Sequence, residues 1–161
     1  MSFKFIKVVE IIRYTEWIAG QAQVDQSIMQ CYLTEIVSAM SGDNTQIQNA
    51  ACTALGKAIS ENAQSIEPYL SDIVKLFENV SKSYKKNNLA NLYDIMALLA
   101  QNVARSKIQD PNIENVLMGI IVEKWKESQF NDLESIYLAG IFHFNSYYLI
   151  FKNVQIHCLQ L

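Results

Sequence analysis

Tyr32-Leu33-Thr34-Glu35-Ile36-Val37 recurs 37 residues later as Tyr69-Leu70-Ser71-Asp72-Ile73-Val74. Both copies sit in stretches whose apolar residues return with a helical period. Leu70, Ile73, Val74, Phe77 and Val80 fall at i, i+3, i+4, i+7 and i+10, and Leu92, Ile95, Met96, Leu99 and Val103 form a similar stripe. Val116, Leu117, Ile120 and Ile121 form another, which Lys124 extends with its aliphatic stem. Each stripe is the buried face of an amphipathic helix. The stretches between them echo as well: Ala54-Leu55 returns as Ala97-Leu98 at an interval of 43, and Ile121-Val122 is a weaker third echo of the hexapeptide.

A helix pair that repeats every ~40–47 residues has the period of HEAT and armadillo arrays, whose units stack on their neighbours into a superhelix. Cap chemistry marks the breaks. Gly20 ends a helix, and Ser41-Gly42-Asp43 separates two more. Asp43 and Gln46 have the spacing of a capping box. Ser65 to Pro68 opens another helix, Lys85-Lys86-Asn87-Asn88 is a polar turn, and Asp110-Pro111 is an N-cap followed by proline at the first helical position. The resulting expectation is an all-α HEAT-repeat α-solenoid of about eight helices: 3–19, 24–40, 44–62, 66–83, 88–107, 111–129, 132–144 and 147–160. Three complete antiparallel pairs (24–62, 66–107 and 111–144) are flanked by half repeats, so residues 1–161 read as one segment of a longer solenoid.

Composition agrees. Of 161 residues 50% are hydrophobic and 18% charged, with 5 Gly and only 2 Pro. That excludes a sandwich with a turn every ~8–12 residues, and disorder. A net charge of −3 gives no basic footprint for nucleic acid. No apolar run approaches the ~20 residues of a membrane span, and the first residues lack the pattern of a signal peptide. A soluble, intracellular protein is expected. Cys31, Cys52 and Cys158 form no metal or disulfide pattern and read as buried thiols.

The residues carry no signature of catalysis. His143 and His157 stand at no metal-ligand interval, and no nucleophile–base motif or phosphate loop occurs. No cofactor or metal is expected. Lys82, Lys85 and Lys86 read as a solvated turn. Trp17 and Trp125, each near a helix C-terminus, are expected in the core. Tyr137, Phe142, Phe144, Tyr147, Tyr148 and Phe151 are expected between repeats. Asp94 shares a face with Asn91, Leu98 and Gln101. By itself it is either an ordinary solvated carboxylate or an inner-row acid able to pair with a Lys or Arg of a peptide.

Several stretches resemble the transportins, the karyopherin-β2 branch of the importin-β nuclear transport receptors. They are Arg13-Tyr14-Thr15-Glu16-Trp17, Gln48-Asn49-Ala50-Ala51-Cys52, Asn88-Leu89-Ala90-Asn91-Leu92-Tyr93-Asp94, Leu117-Met118 with Lys124-Trp125, and Val154 with Cys158. The resemblance implies a middle portion of a HEAT chain of about twenty repeats. It also implies a function: binding cargo that carries proline-tyrosine type nuclear localisation signals and releasing it to Ran-GTP. In that family the second helix of each pair lines the concave cargo surface.

Carried over residue by residue, Asp94 stands where an acid faces the basic part of the signal, and Ile6 at an apolar position near its proline-tyrosine end. Val9 replaces a family tryptophan and loses stacking surface. Ser60, Gln101 and Leu138 stand where the family has further acids, with Glu61 and Glu134 close by in sequence. The implied cargo-binding set is therefore Ile6, Val9, Ser60, Glu61, Asp94 and Gln101.

The implied partners are cargo proteins with nuclear localisation signals, nucleoporins, and the GTPase Ran through parts of the receptor outside this chain. Direct nucleic-acid and membrane contacts are not implied. The implied location is cytoplasm and nucleus, at the nuclear pore. The alternative is a HEAT protein-interaction scaffold unrelated to nuclear transport. A helical-bundle enzyme would need convergent polar residues such as Glu-x-x-His on facing helices, and none is present.

Overall fold

The computed structural model describes residues 10, 13–15, 17, 18, 25–103, 105–108 and 110–127. Among these every regular element is helical. The elements are α1 (Gln26–Met40), α2 (Thr45–Ile66), a 3-10 turn (Glu67–Tyr69), α3 (Leu70–Ser81), α4 (Lys86–Asn102), the short α5 (Arg105–Ile108) and α6 (Pro111–Glu127). Before α1, Tyr14 N bonds to Glu10 O (3.1 Å) and Ile18 N to Tyr14 O (2.8 Å), both with helical spacing.

Polar side chains start α1, α2 and α6, satisfying amides that lack an intrahelical acceptor. Asp25 accepts from Ser27 N at 2.9 Å to open α1. Asp110 accepts from Asn112 N at 2.9 Å to open α6, with Pro111 at the first helical position. The cap of α2 is Asn44, whose Oδ1 accepts from Gln46 N (2.9 Å) and Ile47 N (3.1 Å). This corrects the expected Asp43 capping box. Asn44 is the residue with extended backbone just before the first helical one, where a side-chain oxygen can reach both free amides.

The elements stack as two layers. One holds the first helices of successive pairs, with α3 packed on α6. The other holds the second helices, with α2 packed along α4, and α1 packs on α2 across its four-residue turn. α2 and α4 run in the same direction: Asn49 meets Asn91 (2.9 Å), and a Cβ placed on Gly56 would stand 3.3 Å from Leu98 Cδ1. This is the layered, neighbour-on-neighbour packing of an α-solenoid.

The true repeat register differs from that of the hexapeptide. Between the second helices it is 41 residues. At that shift Ile47, Gln48, Ala51, Cys52, Ala54, Leu55 and Ala58 fall on Asn88, Leu89, Leu92, Tyr93, Ile95, Met96 and Leu99, and every one is buried. Asn62 and Val103, also 41 apart, both leave helical geometry, with φ/ψ of −154°/71° and −83°/143°. Between α1 and α3 a shift of 44 matches buried Met29, Leu33, Ile36 and Met40 to buried Ile73, Phe77, Val80 and Tyr84. A shift of 37 differs from 44 by two helical turns, so the hexapeptide match keeps the face and misplaces the level.

Two helix ends also shift. The predicted helix 88–107 stops at Asn102, because extended Val103 ends it and α5 follows separately. The predicted break after residue 62 is real, although helical turns resume at once. Buried Asn62 leaves the helix, donates Nδ2 to Ser65 Oγ (2.7 Å) and accepts from Ser65 N (3.3 Å), so it caps the turn that follows. The predicted helices 132–144 and 147–160, the completion of the third pair and the aromatic cluster at 137–151 lie outside the described residues.

Candidate functional site

The second helices bury one face and leave the other to solvent. On α2 the outer face carries Gln46, Thr53, Ser60 and Glu61, with Asn49, Ala50 and Lys57 half-buried beside them. On α4 it carries Asn87, Asp94, Gln101 and Asn102, with Ala90, Asn91, Ala97 and Leu98 half-buried. The 41-residue register sets Thr53 level with Asp94, Lys57 with Leu98, Ser60 with Gln101, and Glu61 with Asn102. Four of the six expected cargo residues therefore share one two-helix surface. Ile6 and Val9, like Glu134 and Leu138, lie outside the described residues.

Within that surface the four are not equivalent. Ser60 donates its hydroxyl to Gly56 O at 3.0 Å, back into its own helix. Asp94 is the carboxylate with an altered environment: partial burial against its helix pushes its pKa above the usual 3.8. No described residue pairs with it by hydrogen bond or ion bridge. Glu61 is level with Asn102, about 12 Å further along the helices, eight residues at 1.5 Å each. Asp94 and Glu61 thus present two separated negative points rather than one acidic cluster.

Between the helices lie amides that single-residue reading of the sequence passed over. Asn88 is buried and donates Nδ2 to Gln48 Oε1 and, at 3.3 Å, to Thr45 O. Gln48 in turn donates to Gly42 O at 2.6 Å. One turn further, Asn91 donates to Asn49 Oδ1. Tyr84 closes the same edge by donating to Met40 O at 2.9 Å, with Cys52 Sγ 4.0 Å from the phenol oxygen. The pairs Asn88–Gln48, Asn91–Asn49, Asn88–Thr45 and Tyr84–Met40 stand 40 to 44 positions apart, the repeat interval, and that spacing was the signal available in the sequence.

The buried titratable groups are kept neutral. Burial pushes Tyr32 up to about 12 and Cys52 up to about 11, and raises Tyr84 as well. Tyr32 donates to Ala54 O at 2.7 Å. Two core expectations change. Cys31 is exposed on α1, because its position is off the Met29–Leu33–Ile36 stripe. Trp17 is 61% exposed and Tyr14 53%, so Trp17 is not a core residue within this chain. Cys158, His143, His157 and the Trp125 side chain lie outside the described residues. Lys82 pairs with Glu78 at 3.4 Å with both side chains largely exposed, as a solvated turn would. Among the described residues no three His, Cys, Asp or Glu side chains are grouped to hold a metal, and no helix is long and apolar enough to cross a membrane.

No family model matches the chain. Individual curated proteins do. Transportin-1 of Mus musculus is 27% identical over 113 residues, covering 70% of this chain and 12% of its own length. Transportin of Dictyostelium discoideum is 29% identical over 129 residues, 80% of this chain and 13% of its own. Importin subunit beta-2 of Schizosaccharomyces pombe is 25% identical over 115 residues, 70% of this chain and 12% of its own. The chain spans about an eighth of the length of the curated relatives it matches. The resemblance to the transportins holds over most of the chain, and the all-α solenoid of helix pairs is the fold that goes with it.

Proposed function

We propose that this chain is a cargo-contacting segment of a nuclear import receptor, a binding protein rather than an enzyme, working between cytoplasm and nucleus. The carrying observation is the similarity to transportins and to an importin beta-2 across 70% or more of the chain. The described surface supports it, with Asp94, Ser60, Gln101 and Glu61 exposed together on the second-helix layer. In this reading Asp94 receives the basic part of a localisation signal. Ile6 and Val9 lie toward its proline-tyrosine end, with Val9 offering less contact than an aromatic residue. Ran and nucleoporins engage other parts of the receptor, and release follows Ran-GTP binding. The residues 24–62, 66–107 and 111–144 form the three complete pairs.

The uncharged Ser60 and Gln101 favour a second reading, a HEAT scaffold that binds protein without reading import signals. The two separate in a titration of a basic signal peptide against the wild-type chain and Asp94→Lys. The receptor reading predicts weaker binding to the variant, by roughly 1–3 kcal/mol if the ion pair is desolvated, with the difference shrinking at high salt. Equal affinities at low salt would favour the scaffold.

A further inference from the structure

The amide pair Asn49–Asn91 sits toward the N-terminal end of the exposed second-helix surface and is only part-buried. Asn91 Nδ2 donates to Asn49 Oδ1 at 2.9 Å. That single bond uses one donor of one residue and one acceptor of the other. The Asn49 amino group and the Asn91 carbonyl oxygen remain, and no described group bonds to either. No buried side-chain nitrogen or oxygen among the described residues lacks a partner, so these two face water. A donor and an acceptor side by side are the complement of a main-chain peptide unit, which offers one C=O and one N–H.

The neighbourhood fits a backbone rather than a bulky side chain. Ala50 and Thr53 on α2 and Ala90 on α4 lie within about one turn of the pair, and their small side chains let an extended segment approach closely. Asp94 stands three positions from Asn91, on the same helix face and roughly 5–6 Å away between Cβ atoms. Its carboxylate is unpaired among the described residues. One residue of extended chain advances ~3.3 Å, so a side chain one or two residues from the docked peptide unit reaches Asp94. Negative charge there selects a cation.

We propose that Asn49 and Asn91 form a docking point for one main-chain peptide unit of an extended segment, whose neighbouring Lys or Arg meets Asp94. The proposal deepens the import-receptor reading and rests on it. It assigns recognition at this level to the backbone as well as to charge, so the chain tolerates varied side chains around one fixed cation.

The test uses the 161-residue chain and two synthetic nonapeptides with a central Arg, one with free backbone amides and one N-methylated at the residues flanking the Arg. Binding is measured by calorimetry for wild type, Asn91→Ala and Asp94→Asn, each checked for folding by its thermal transition. The proposal predicts that N-methylation weakens binding to wild type about three- to tenfold, the range of one net hydrogen bond. It predicts that Asn91→Ala loses about as much with the free peptide and shows no further loss on methylation. Asp94→Asn should weaken both peptides and leave the methylation penalty intact. If Asn91→Ala retains the full methylation penalty, or wild type shows none, the backbone site is wrong. If Asp94→Asn still weakens both peptides in that case, the charge reading survives. If none of the variants or peptides differ, both readings fall. Should Asn91→Ala fail to fold, Asn49→Ala is substituted, because it removes the free donor and leaves the Asn91 amino group to water, and the same non-additivity is required.

Discussion

The two layers join their successive helix pairs in different ways. In the first-helix layer α3 offers Leu76, Phe77 and Val80, and α6 offers Ile113, Leu117, Ile120 and Ile121, all buried. The buried hydroxyl on that side, Ser81, bonds to Glu78 O in its own helix. In the second-helix layer the apolar stripe is accompanied by Gln48, Asn88, Asn49 and Asn91, which bond across the joint. Apolar packing is nearly non-directional and tolerates a slide of a turn. An amide tolerates none, because a slide leaves donors and acceptors unpaired in a low-dielectric setting. Area in one layer supplies stability, and amides in the other fix the 41-residue register on which the exposed face depends.

The largest expected effect comes from the apolar layer. Phe77 is fully buried, and Phe77→Ala should cost about 3–5 kcal/mol, read as a lowered midpoint in chemical denaturation. Binding of a basic peptide to the fraction that remains folded should be little changed. The amide layer should respond with a smaller loss of a different kind. Asn88→Ala leaves Gln48 Oε1 without its donor, at a cost of roughly 1–3 kcal/mol. Hydrogen exchange should rise at the turn 41–44 and at the start of α4 before it rises in α3. A uniform rise would mean that the amides add stability without fixing register.

These two layers were not equally legible in the sequence. The apolar stripes were visible because a helix samples every third or fourth residue, and Leu70 to Val80 and Leu92 to Val103 are buried where that period placed them. The Tyr32 and Tyr69 hexapeptides preserved the face and lost the level, since two helical turns bring a residue back nearly to the same side. Asn88 read as part of a polar turn because an asparagine after two lysines is a turn by local propensity. Only the partner Gln48, 40 residues earlier, makes it a core residue. Asp94 and Gln101 were legible as a shared face off the Leu92–Val103 stripe, whereas Ser60 and Glu61 entered only through the family resemblance. The alignment of the four across two helices was not legible, because it depends on the register. Cys31 and Trp17 were misjudged from residue type, whereas position on the stripe decides burial.

Smaller effects sharpen the comparison at the surface. Gly119 lies exposed within α6, and a Cβ there would meet nothing within 4 Å. Gly119→Ala should therefore stabilise by roughly 0.5–1 kcal/mol through helix propensity, measured by denaturation. At Gly56, in the second-helix layer, the added Cβ would press on Leu98. The gain from Gly56→Ala should be smaller than at Gly119.

The smallest effect is the pH dependence of Asp94. Its folded pKa is raised by partial burial, so the folded chain holds this proton more tightly than the unfolded chain does. Stability from this group is present below the ordinary 3.8 and falls as pH rises through the raised value. Asp94→Asn should flatten that part of the stability profile. Asp25, lowered by its bonds to Ser27, acts with the opposite sign: it contributes above its unfolded pKa and is lost as pH falls. Affinity for a basic peptide should decline on acidification at a higher pH than an ordinary aspartate would require.

Which face the chain uses decides the account most directly. The measurement is backbone amide chemical-shift mapping of the isotope-labelled chain during titration with a basic signal peptide. The largest shifts are expected at Asn49, Thr53, Asn91, Asp94, Leu98 and Gln101, the shared outer face of α2 and α4. Shifts concentrated on the exposed residues of the first helices, such as Thr34, Val37, Lys75 and Asn79, with that face unmoved, would contradict it.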